Sequence, residues 1–239
     1  MDEECARIVE DMRRLAGAVQ SLRASFTSFY SLGMTRFETH GNVFYLRPER
    51  IRMEAVVNGK EIVTIRNGPL VQRFAPHGKE VWQYNLKDVP QSLPINFGTL
   101  AITDPFVAVD EESLTHDGTR DAGGAKRHAF LARMKAVGSA GSLDTRKGFL
   151  LRYEPKAPRI SLRLVVDAAT GLLLSMTGHD RDGTAVFEAL WEPGEINGMM
   201  DTSLFRIDAL SQGYRIVDMK DIMLSALDPD YADRPPSLN

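Results

Sequence analysis

The sequence predicts an α+β protein in which a curved antiparallel sheet folds partly around a long N-terminal helix. Three observations predict it. An apolar stripe at helical period opens the chain, short alternating strands separated by Asn-Gly-type turns follow, and the strand pattern returns after residue 148. A sheet of roughly ten or eleven strands does not stay flat, so it should curl or close partly around the helix.

The helix is expected over residues 3–30, where Ile8, Met12, Leu15, Val19, Leu22 and Phe26 recur at alternating steps of four and three. Asp2, Glu3 and Glu4 sit at the positive end of its dipole, and Gly33 is the expected stop. Such a helix is about 36–40 Å long, enough to cross a sheet. Strands are expected next, at about 36–47, 50–57, 60–66, 69–75 and 80–86. Their turns fall at Val57-Asn58-Gly59, Arg66-Asn67-Gly68 and Pro76-His77-Gly78.

The first two strands meet at an Arg47-Pro48 corner, because proline cannot donate to a ladder and holds its predecessor extended. In the first, Val43, Tyr45 and Arg47 share a face. In the second, Ile51, Met53 and Ala55 alternate with Arg50, Arg52 and Glu54. An arginine in register with two apolar side chains either snorkels to water or a surface carboxylate, or serves a site.

Residues 88–111 are broken by prolines yet unusually apolar. They either complete the core as short helices or form a mobile cover over a cavity. Residues 112–147 read as a variable insertion: a loop at Asp117–Gly124, a strand or short helix from Arg127 to Lys135, and a flexible patch at 138–142. Strands resume at 148–153, 160–167, 171–179, 185–192 and about 196–200. The expected end is a short helix near Lys220–Leu227 and a Pro-rich acidic stretch, so 218–239 is read as a mobile extension of one domain spanning 1–217.

Composition excludes several classes. The chain has 239 residues, 43% hydrophobic and 26% charged, which is ordinary for a globular protein large enough to bury a core. A net charge of −3 gives no reason to expect nucleic acid or an anionic membrane as partner. The single cysteine, Cys5, rules out an internal disulfide or a thiolate cluster, and its surroundings are not those of a lipidation site. No stretch has the length to span a bilayer. A chain that enters a helix almost at once looks like a mature exported protein whose signal peptide has been removed, and a cytoplasmic protein could start the same way.

No catalytic pattern emerges. His40, His77, His116, His128 and His179 have no partners at ligand spacing, and His-Glu-x-x-His is absent. Gly138-Ser139-Ala140-Gly141-Ser142 is not a nucleophile elbow, and Asp180-x-Asp182-Gly183 reads as a polar hairpin turn rather than a calcium loop. Neither an enzyme, a metal nor a cofactor is expected. The combination of curved sheet, long helix and apolar cover suits a carrier of something greasy.

The motifs resemble those of the periplasmic lipoprotein carriers LolA and LolB and their relatives. Ala24-Ser25-Phe26-Thr27 is similar to the family's Ala-Ser-Phe-Thr-Gln, with Ser28 in place of the glutamine. Gly41 to Pro48 followed by Arg50-Ile51-Arg52-Met53 resembles its Arg-Pro corner and next strand. Ile62–Gly68, Leu162–Asp167 with Thr170-Gly171-Leu172, and Asp201-Thr202-Ser203-Leu204-Phe205 resemble its later segments, in order, over about residues 5–217.

The resemblance implies an incomplete, half-open β-barrel closed by a helical lid over a hydrophobic cavity, with 89–107 as the lid. It implies that Arg47 bonds to the lid and governs opening. It also implies an acylated lipoprotein or another lipid as cargo, an inner-membrane donor, an outer-membrane acceptor and a monomeric carrier. The expected lining is Val43, Tyr45, Ile51, Met53, Val63, Ile65, Leu93, Ile95 and Phe97, with the inward face of each strand left open, since a slip of one residue exchanges the two faces. A scaffold or sensing domain with the same fold and no cargo is the alternative.

Overall fold

The computed structural model describes residues 1–32, 35–76, 78–88, 104–107, 109–134, 160–207 and 213–219. Helix α1 spans Glu3–Ala18, and twelve strands follow: β1 (Ser21–Leu32), β2 (Thr35–Leu46), β3 (Arg50–Val57), β4 (Lys60–Asn67), β5 (Leu70–Phe74), β6 (Glu80–Asn85), β7 (Val109–Ala122), β8 (Ala125–Met134), β9 (Ser161–Asp167), β10 (Leu173–His179), β11 (Ala185–Ile196) and β12 (Arg215–Asp218). They form one sheet in the order β12-β6-β5-β4-β3-β2-β1-β11-β10-β9-β8-β7. Every pair is antiparallel except β12 with β6, which is parallel. The sheet is open, with β7 and β12 at its edges. The described residues include no helical lid. Leu93, Ile95, Phe97, the strand expected at 148–153 and the helix expected at 220–227 lie outside them.

The N-terminal helix is shorter than its apolar stripe. Asp2 caps it by accepting from the Cys5 amide at 2.8 Å, and it ends at Ala18 after 16 residues, about 24 Å. Residues 21–32 are rich in Ser, Thr and aromatic side chains, which favour extended backbone, and they form β1 instead. The Ala-Ser-Phe-Thr stretch therefore lies in a strand, not at a helix end. Leu22 and Phe26 satisfied the helical period and the strand period of two at once. The buried face of α1 is also rotated from the expected stripe: Cys5, Val9, Met12 and Ala16 are buried, while Ile8 and Leu15 pack only partly.

The meander expected from 36 to 86 corresponds to β2–β6, with Asn58, Gly59 and Gly68 at positive φ in its turns. The stretch read as an insertion is instead a long hairpin, β7–β8. Its charged residues face solvent along an edge strand, and Gly123-Gly124 make the turn. The last predicted strand, 196–200, is not separate, because β11 runs on to Ile196.

Three buried clusters hold the sheet. The largest packs Cys5, Val9 and Met12 of α1 on Leu114, Phe130, Leu162, Leu164 and Met176 of β7–β10, with Phe106 against Phe130 edge-on at 5.0 Å. Gly171, in the β9–β10 turn at φ +71°, lies so close to α1 that an added Cβ would meet the backbone of Met12 and Ala16. A second cluster gathers Val19, Leu22, Ala24, Val43, Tyr45, Ile51 and Leu172 just past the helix end. The third lies on the other face, where Val63 and Ile65 pack with Phe205 of the short 3-10 turn Thr202–Phe205. Arg52 fastens that turn by donating to the Leu204 carbonyl at 3.1 Å while pairing with Glu54 at 2.6 Å.

Candidate ligand-binding face

Pairing register decides which side chains share a face, because residues directly opposite in a ladder point the same way. One row across the sheet reads Ala24, Val43, Met53, Thr64, Arg73, Trp82, and the next reads Leu22, Tyr45, Ile51, Arg66, Val71, Tyr84. Both belong to the face that carries α1. Val63 and Ile65 pair with Glu54 and Arg52, so they lie on the opposite face beneath Phe205. The expected lining thus divides. Val43, Tyr45, Ile51 and Met53 share the helix-bearing face, Val63 and Ile65 do not, and Leu93, Ile95 and Phe97 lie outside the described residues.

Arg47 follows Tyr45 on the helix-bearing side. It is exposed, and its guanidinium donates to the Gly17 carbonyl in the last turn of α1. A cation is favourable there, since the helix C-terminus carries partial negative charge. The Arg-Pro corner, whose peptide bond is cis, is thereby tied to the helix.

Beyond α1, β1, β2 and β11 carry a strip of half-buried apolar side chains on the same face: Phe26, Tyr30, Phe37, Phe187 and Trp191, with Met53 on β3. Tyr30 and Phe37 are cross-strand partners whose rings stack at 4.6 Å. Phe187 covers Gly178 on β10, where an added Cβ would strike the ring. Sequence reading missed the β1 part of this strip because the helix was expected over residues 3–30. The signal was present in the alternation of Phe26, Ser28 and Tyr30 and of Phe187, Ala189 and Trp191.

Burial holds the Arg73 guanidinium below its ordinary range, with Tyr84 and Tyr30 acting against that shift. Burial pushes Tyr84 up to about 12 despite the charges of Arg73 and Arg66. Arg66 itself donates to the Gly68 carbonyl at 3.0 Å and pairs with Glu49 at 3.3 Å.

Two other features concern chemistry. His116 and His128, far apart in sequence spacing, meet across the β7–β8 hairpin at 3.2 Å, with Thr119 at 3.0 Å from His128. Asp180 accepts from the amides of Asp182 and Thr184, the polar turn expected there. Among the described residues no three His, Cys, Asp or Glu side chains are grouped to hold a metal, and no helix is long and apolar enough to cross a membrane.

The architecture on the page is a large open, mostly antiparallel sheet bearing one N-terminal helix, and solved structures share it. An uncharacterised conserved protein from Thermus thermophilus superposes with a TM-score of 0.55 at 11% identity, over 90% of this chain and 99% of that one. The Mycobacterium tuberculosis lipoprotein LppX does so with a TM-score of 0.53 at 10% identity, over 84% of this chain and 99% of that one. At such identities the likeness is one of fold. A LolA superfamily protein from Nitrosomonas europaea also matches, at 7% identity over 85% of this chain and 98% of that one, with a TM-score of 0.37. No protein-family model and no curated protein matches the chain.

Proposed function

We propose that the chain is a non-enzymatic periplasmic carrier that shelters the acyl chains of a lipoprotein, or of another lipid, and passes them toward the outer membrane. The observation that supports this reading is the strip of half-buried aromatic side chains on the sheet face beyond the end of α1. A soluble protein without a ligand gains nothing by leaving such a row incompletely packed. Each methylene transferred onto it contributes about 0.8 kcal/mol, so hand-off can run downhill without nucleotide. A donor at the inner membrane and an acceptor at the outer one are the partners this implies, with the carrier acting as a monomer.

Arg47 stands where the helix end meets the β2–β3 corner, and in this reading it couples that junction to opening of the face. If Arg47→Leu changes neither uptake nor release of an acylated probe, that role is wrong and the arginine only tethers the helix. A scaffold or sensing domain is the second reading. It is favoured by one observation, that Val43, Tyr45 and Ile51 are only 3% exposed, each already packed by protein.

The test is displacement of an environment-sensitive apolar dye from the purified protein by an acylated lipopeptide and by the same peptide without its chains. Displacement by the acylated form alone is expected. Absence of any dye binding would favour the scaffold.

A further inference from the structure

One group of side chains on the β7–β8 hairpin has no part in holding a greasy cargo. A regular antiparallel pair turns every second residue to the same face, which would set residues 116 and 119 on opposite sides of the sheet. A bulge intervenes. His116 pairs with Phe130 and Thr119 with His128, while Gly118, at φ +104°, faces Ala129. One residue is thereby added to β7 between the two pairings. His116, Thr119 and His128 all come to the face on which Phe130 packs under α1.

The two imidazoles are braced but not sealed. Their rings lie against Phe130 at 5.3 Å and 6.3 Å between centroids, and Phe130 itself is fully buried. Both histidines are half-buried, on the two outermost strands of one sheet edge. Nε2 of His116 and Nδ1 of His128 stand 3.2 Å apart, and the Thr119 hydroxyl is 3.0 Å from the same Nδ1. A ring nitrogen has one proton or one lone pair to offer, so Nδ1 has one neighbour more than a hydrogen bond uses. Two nitrogens 3.2 Å apart, each bound to zinc at about 2.0–2.1 Å, subtend about 100–106° at the metal, close to tetrahedral. A square-planar ion with the same bond lengths would need them about 2.9 Å apart.

We propose that His116 Nε2 and His128 Nδ1 bind a Zn2+ ion across the hairpin, with the Thr119 hydroxyl holding a water on one of the two remaining coordination positions. His116 Nδ1 and His128 Nε2 then carry the ring protons. Asp117 turns toward Arg120 and Arg163, at 3.7 Å and 3.9 Å, and supplies no ligand. Among the described residues no third His, Cys, Asp or Glu joins the pair, so the site is open and the ion exchangeable. Bound zinc ties the edge strand β7 to β8. The site is independent of the carrier reading, and neither needs the other.

The experiment uses the untagged full chain, stripped of metal by a chelator and titrated with Zn2+ alone in a buffer that does not bind it. Long-range 1H–15N spectra resolve the imidazole nitrogens. Those of His116 and His128 should shift together, before those of His40, His77 and His179. Urea unfolding gives a second readout. With free zinc at about a hundred times its dissociation constant, the folding equilibrium should move about a hundredfold toward the native state. His116→Asn and His128→Asn each leave one ligand and should weaken zinc at least about tenfold. Thr119→Val should weaken it less than either. His179→Asn, at the end of β10, is the control and should keep the wild-type affinity. Mg2+, which takes oxygen ligands, should move neither readout. Zinc without effect on the wild type, earlier shifts at other histidines, or unchanged affinity in an asparagine variant overturns the site. If one asparagine variant does not fold, the other and the wild-type spectra decide. Dye binding enters none of these outcomes, so the carrier reading stands or falls apart from them.

Discussion

The two halves of the sheet treat their apolar residues differently. On β7–β10 the helix lies directly on the strands, Phe130, Leu114 and Leu164 are fully buried, and the β9–β10 turn touches the helix backbone. On β1–β5 the same face holds aromatic and methionine side chains that remain half-buried, beside Arg66 and Arg73. The first half closes its own core. The second shares one face with the helix end and presents the rest. A fold that packs one half to completion can leave the other half free to specialise, because stability and recognition then draw on different residues.

Truncating one aromatic residue in each half should expose that division most strongly. Phe130→Ala removes a fully buried ring stacked edge-on against Phe106, and about 3–5 kcal/mol of stability should go with it. Phe26→Ala, at a half-buried position, should cost under about 1.5 kcal/mol. Urea unfolding followed by far-UV dichroism measures both. Dye binding should run the other way, reduced in Phe26→Ala and retained by the folded fraction of Phe130→Ala. Similar stability losses at the two positions would mean that the halves are equally packed.

A smaller effect separates a glycine that the packing requires from one that only its turn requires. Gly171→Ala must relieve a positive φ and a collision with the backbone of α1, at about 2–3 kcal/mol. Gly183→Ala, at φ +78° with open space around it, should lose only about 1 kcal/mol. Thermal unfolding of the two variants compares them directly, and equal losses would show that the turn does not brace the helix.

How far the sequence announced this arrangement depended on whether one physical rule acted alone. The meander from β2 to β6 was legible because Asn-Gly turns and strict alternation agree there, and both signals are local. Residues 21–30 were not, because Leu22 and Phe26 fit periods of two and of three to four at once, and nothing within the segment shows that β2 and β11 are to pair with it on either side. The β7–β8 hairpin was hidden by its charges: Asp117, Arg120 and Asp121 suit a loop or a solvent-facing edge strand equally. Arg47 was conspicuous for its apolar neighbours, whereas Arg73 looked like any charge on a short strand. What marks Arg73 is its place on the helix-bearing face, which follows only from the register of the neighbouring strands, a long-range property. The pairing of His116 with His128 is of the same kind, since only the bulged register of the hairpin places the rings together.

That histidine pair provides the mildest way to tell the halves apart, through pH. His128 is held below the ordinary histidine range, first by burial and then by the charge of His116. The folded state therefore takes up the proton less readily than the unfolded chain. The sign follows from linkage: this contribution is fully present above about pH 6.5 and is lost as pH falls through the lowered value in the folded protein. The urea midpoint should decline as pH drops from 7.5 to 5, and His128→Gln should decline less steeply. The rings sit on β7 and β8, against Phe130 at 5.3 Å and 6.3 Å, so the acid effect belongs to the filled half. Amide exchange at pH 5 should accelerate on β7 and β8 before it does on β3–β5. Parallel acceleration in both halves would mean that they unfold as one unit and that their difference is confined to the surface. Selective acceleration would make the helix-bearing half a separate cooperative element, able to loosen while the β1–β5 face keeps its shape.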